Sequence, residues 1–62
     1  MNYYRIRNEK GMLLSRVRSD HAQWVEPTQL PYAMTFPESS INNWLNVIRS
    51  VSSMKVEAVL IG

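Results

Sequence analysis

Ser19, Asp20 and His21 carry the three side-chain types of a hydrolytic triad. They are consecutive, and neighbours on an extended chain point to opposite sides, whereas a triad needs three side chains that converge. The stretch therefore reads as a polar turn, with Asp20 bonding nearby amides and His21 exposed. The carboxylates Glu9, Asp20, Glu26, Glu38 and Glu57 show no spacing that pairs an acid with a base. Metal ligation has one imidazole and no thiolate to draw on. Gly11 and Gly62 are the only glycines and build no phosphate loop. The expectation is a chain with no catalytic activity, no metal and no cofactor.

Arginine is the remaining candidate. Five of the seven cations are arginine, and Arg5, Arg7, Arg16 and Arg18 fall between positions 5 and 18. With Tyr3 they make a candidate partner-binding patch. Arginine neutralises phosphates and tyrosine stacks on bases; the same two residue types anchor protein interfaces. Arginine on an exposed strand also serves solubility and edge protection with no partner at all. A net charge of +2, with Arg49 the only cation on the polar face of the helix assigned below, weighs against nucleic acid.

The arginines belong to a hairpin. Residues 2–7 alternate, and Asn8-Glu9-Lys10-Gly11 forms the turn, with Gly11 able to take a positive φ and Asn8 able to bond its own backbone. Facing Asn8 with Gly11 sets Ile6 opposite Leu13 and Arg5 opposite Leu14. Tyr4, Ile6, Leu13 and Val17 then share the core face, while Tyr3, Arg5, Arg7, Leu14 and Arg16 share the other. A one-residue slip would mix the two faces, which favours this register.

Residues 22–26 read as a third strand with Trp24 inward, ended by Pro27. Residues 27–31 hold two prolines and read as a loop or an edge with few ladder bonds. Residues 32–36 alternate, with Tyr32, Met34 and Phe36 covering one end of the core and Tyr32 in its lid. Pro37, Glu38, Ser39 and Ser40 signal a helix start, with the proline in the first turn. Ile41, Trp44, Leu45, Ile48 and Val51 follow helical spacing, opposite Asn42, Asn43, Asn46 and Arg49. Residues 54–61 form the last strand, apolar on both faces, which suits a central position beside strand one or a strand covered by a partner.

The expected fold is α+β: a small antiparallel-rich sheet of three to four strands with one amphipathic helix packed on one face, in the order β-β-β-(β)-α-β, one domain over residues 1–62. A single helix covers a single face. The arginine face is left as a mixed apolar and cationic surface, the composition of a binding surface.

A chain of 62 residues buries only about 60% of its unfolded surface. Without cysteine it has no disulfide or thiolate site, which leaves a tight core or self-association as stabilising devices; a homo-oligomer is expected. Cysteine-free composition suits a reducing cytosol. The longest apolar run, 58–61, is far short of the ~20 residues of a membrane span, and no signal peptide is read. The reading is a complete small cytoplasmic protein with no membrane partner.

Tyr4-x-Ile6-x-Asn8-x-x-Gly11-x-x-Leu14, then Trp24, then Ala33-x-x-Phe36 before a helix with Trp44-Leu45, resembles very small proteins encoded by phages and prophages of Gram-positive bacteria. The resemblance covers most of the chain and its motifs are structural, so no functional residue is carried over; the 27–31 loop departs from the plainer forms. It implies an accessory protein of a category in which some members inhibit host or defence machinery, anti-CRISPR proteins among them. The expected function is a non-enzymatic protein that docks on a host or defence protein through Tyr3, Arg5, Arg7, Arg16 and Arg18. The alternatives are a nucleic-acid-binding accessory protein using the same arginines, and a structural subunit of a larger particle.

Overall fold

A computed structural model describes residues 2–61. The elements are β1 (Tyr3–Asn8), β2 (Leu13–Val17), β3 (Ala22–Val25), a 3-10 turn (Leu30–Tyr32), β4 (Phe36–Pro37), α1 (Ile41–Val51) and β5 (Val56–Leu60). They form one antiparallel sheet of five strands and one helix, the α+β class the pattern implies.

β1 is bonded on both edges. Tyr4 pairs with Phe36 and also with Leu60, so β4 and β5 lie on opposite edges of β1. Arg7 pairs with Leu13 and with Glu57, which sets β2 on the β4 side. β2 and β4 therefore share one edge, β2 at the hairpin end and β4 at the start of the strand. Pro37 faces Tyr3, between the Tyr4–Phe36 pair and the Glu38 N–H to Asn2 carbonyl bond of 3.1 Å. It occupies a pair that exchanges no hydrogen bonds, so its missing N–H leaves no gap in the ladder. The proline is thus a strand residue, and not part of the first turn of α1.

The hairpin register differs from the one the alternation favours. The Asn8 N–H donates to the Met12 carbonyl at 2.9 Å, and the Gly11 N–H donates to the Asn8 carbonyl at 3.0 Å. The loop is thus the three residues Glu9, Lys10 and Gly11, and Gly11 takes φ 81°. This is a type I turn closed by a left-handed glycine, the usual form of a three-residue hairpin loop. One extra loop residue moves the register by one: Arg7 faces Leu13, which sets Ile6 beside Leu14. Ile6 and Leu14 are both fully buried.

A second departure sits in β2. Its pairing with β3 runs Leu13–Val25, Leu14–Trp24, then Arg16–Gln23 and Val17–Ala22, leaving Ser15 as a bulge. A bulge adds one residue and resets the alternation. Leu14 and Val17 both reach the core, while Leu13 and Arg16 share the opposite face. The expectation that Leu13 lies in the core and Leu14 outside is therefore reversed. The Ser15 hydroxyl donates to the Tyr32 carbonyl at 2.8 Å, and the Met34 N–H to the Leu14 carbonyl at 2.9 Å, tying the 30–34 segment to the bulge.

α1 lies on one face. Ile41, Leu45 and Ile48 are buried, and Trp44 meets Phe36 with ring centroids 5.3 Å apart. The core is Ile6, Leu14, Phe36, Ile41, Leu45, Ile48 and Val56, with Tyr4, Val17, Trp24, Met34 and Ala58 packed against it. Trp24 and Met34 fall where their spacing predicts. Tyr32 does not: it is 67% exposed on the 3-10 turn and forms no lid. Among the described residues β5 pairs with β1 alone and is an edge strand rather than a central one.

Leu14→Ala is expected to cost about 2–5 kcal/mol in urea unfolding, and Leu13→Ala less, because Leu13, although only 7% exposed, is buried outside the cluster that α1 closes. Gly11→Ala meets open space at its new Cβ, so its expected cost of about 1–2 kcal/mol is backbone strain alone; Gly11→Asn should recover part of it.

Candidate binding surface

Antiparallel partners share a face of the sheet, so the ladder defines what lies opposite the helix. One row crosses four strands: Glu57, Arg7, Leu13 and Val25. A second holds Val59 and Arg5, and a third Arg16 and Gln23. By alternation Tyr3 joins them at one end of β1. Of the five expected site residues the structure brings Tyr3, Arg5, Arg7 and Arg16 to this face. Arg18 lies in the β2–β3 loop, where its N–H donates to the His21 carbonyl at 2.8 Å and closes the turn.

The arginines are not equivalent. The Arg7 Nε–H donates to Glu57 Oε1 at 2.8 Å, and its Nη2 meets the same oxygen, so this cation is paired across β1 and β5. Glu9, the one carboxylate within the hairpin, accepts from the Lys55 N–H at 3.1 Å instead. Arg5 is half-buried beside Val59, and its Nε–H is enclosed without a partner. Arg16 is exposed. The surface has an apolar floor of Leu13, Val25 and Val59, with arginine stems laid over it, as long cationic side chains commonly do. A shallow depression of about 410 Å³ opens at the hairpin end, lined in part by Arg7, Leu13, Pro27, Glu57 and Val59.

Leu13, Val25 and Glu57 are additions to the expected set. Val25 was hidden by the strength of Trp24 as the inward residue of β3. Glu57 alternates with Val59 in the sequence, and β5 beside β1 would have pointed to it, but only the register puts it against Arg7.

The Ser19-Asp20-His21 turn is exposed. His21 Nδ1 and Asp20 Oδ1 lie 2.7 Å apart, so Asp20 bonds the neighbouring ring. The hydrogen bond from His21, and then its charge, hold the Asp20 carboxyl below its ordinary value. Among the described residues no three His, Cys, Asp or Glu side chains gather as a metal site, and no helix is long and apolar enough to cross a membrane. No family model, curated protein or solved structure matches the chain.

Both side chains of the Arg7–Glu57 pair are about half exposed. A double-mutant cycle with Arg7→Ala and Glu57→Ala is expected to return a coupling of about 0.2–1 kcal/mol that shrinks as salt is added.

Proposed function

We propose that the protein is a non-enzymatic binding protein that acts by laying the open face of its sheet on a partner protein and blocking or modulating it. The residue pattern shared with small phage and prophage proteins supports a host or defence protein of a bacterial cytosol as the partner. The observation that carries the reading is the cross-sheet row Glu57–Arg7–Leu13–Val25, flanked by Arg5 and Arg16. It joins an apolar floor to charges of both signs, the mixture found in protein interfaces. A phosphate-binding surface needs cations that are free to neutralise phosphate, and Arg7 is already engaged by Glu57. An interface of about 800 Å² per partner would take in most of this face.

The test is capture from a bacterial host lysate, with and without nuclease, using the wild-type chain and an Arg5→Ala/Arg16→Ala variant whose fold is checked by circular dichroism. Arg49→Ala, on the helix, is the control. The expected result is a protein partner that survives nuclease, is retained by Arg49→Ala and is lost with the double variant. Loss on nuclease treatment, with binding that falls by about one decade per phosphate contact for each decade of salt, would transfer the same face to nucleic acid. Capture indifferent to both arginines would refute the use of this face.

A further inference from the structure

We propose that β5 is a self-pairing edge and that two copies of the chain join through it, antiparallel about Ala58, into one continuous sheet. This inference does not depend on what the open face binds.

The backbone of β5 presents an unused ladder. The Ile61 N–H donates to the Tyr3 carbonyl at 2.9 Å. In an antiparallel pair bonded residues alternate, so Glu57, Val59 and Ile61 turn their backbone groups toward β1. Val56, Ala58 and Leu60 turn theirs outward. Among the described residues no turn, cap or side-chain bond reaches those outward groups. Edge strands are ordinarily guarded by proline, a bulge, short length or inward charge. β3, at the other edge, has only four residues and Pro27 two positions beyond its end. β5 has no proline and no bulge, and its one charge, Glu57, is held by Arg7 on the open face. Leu60 is 56% exposed.

The strand also selects its own register. Centred on Glu57, two carboxylates would stand opposite each other. Centred on Val59, Val56 would be left without a facing residue of the strand. Centred on Ala58, Val56 faces the partner's Leu60, Glu57 faces the partner's Val59, and Ala58 faces its own copy. All three outward residues then meet outward residues, giving a bonded pair at each. Two-fold symmetry repeats every contact. The open face of the joined sheet reads Arg7, Glu57, the partner's Val59 and the partner's Arg5, with no like charges adjacent. A second copy is thus a better occupant than an arbitrary strand. A contact this small lies below the about 1,200 Å² of stable interfaces, so the dimer is expected to be reversible and concentration-dependent.

Val59 gives a test in which self-pairing and the stability of the single chain move in opposite directions. Within one chain Val59 faces Arg5; across the two-fold it faces the partner's Glu57. Val59→Glu is expected to keep or raise the melting temperature in dilute solution, yet weaken the dimer about tenfold by two like-charge contacts. Val59→Lys is expected to lower the melting temperature and tighten the dimer. Ala58→Pro removes only an outward N–H and is expected to leave a folded monomer; should it not fold, the Val59 pair still decides. Sedimentation equilibrium supplies the masses, with 7.2 kDa as the single-chain value. A wild-type protein that stays at that mass at millimolar concentration, or Val59→Glu and Val59→Lys variants that shift association the same way, would overturn the proposal.

Discussion

The carboxamide of Asn8 is the contact on which the rest of the structure depends. Asn8 is only 4% exposed, and its Oδ1 accepts from the Lys10 N–H at 2.9 Å and the Met12 N–H at 3.0 Å. These two bonds hold a loop of three residues and let Gly11 close it with a positive φ. Loop length decides which residue of β2 stands beside Arg7, and because side chains alternate, a shift of one residue would exchange the two faces. Leu14 beneath α1, Leu13 on the open face and the row from Glu57 to Val25 all follow from that count.

β1 then distributes the consequence. With β5 on one edge and β2 and β4 dividing the other, it is, among the described residues, the only strand paired with three others. Ile6 is at its centre and fully buried. The same geometry leaves two unsatisfied surfaces. One helix cannot cover both faces of five strands, and among the described residues β5 has a neighbour on one side only. A short chain without disulfides has little core to spare, so an open face and a bare edge are the places where a partner adds most.

Much of this was legible from residue pattern alone. Ile41, Trp44, Leu45 and Ile48 mark the helix because helical periodicity survives small errors in its boundaries. Trp24 and Phe36 mark core positions by bulk, and the last strand beside the first follows from its apolar character. The two leucines at 13 and 14 were not separable in this way. Either is a sound core residue, and the choice rests on one loop residue and on the bulge at Ser15, neither of which leaves a hydrophobic signal. Tyr32 misled for a related reason: alternation with Met34 and Phe36 places it inward, but the 3-10 turn at Leu30–Tyr32 breaks the extended path before the strand begins. The pairing of Arg7 with Glu57 joins residues fifty positions apart and needs the sheet register to be seen.

The most direct measurement is the cross-strand Hα–Hα NOE in the β1–β2 hairpin. Arg7 and Leu13 form a pair that exchanges no hydrogen bonds, which brings their Cα atoms to about 4.5 Å and their Hα atoms into close contact. A strong NOE between Arg7 Hα and Leu13 Hα is expected. An NOE joining Arg7 Hα to Met12 Hα in its place would mean a two-residue loop, would return Leu13 to the core face and Leu14 to the open one, and would contradict the account.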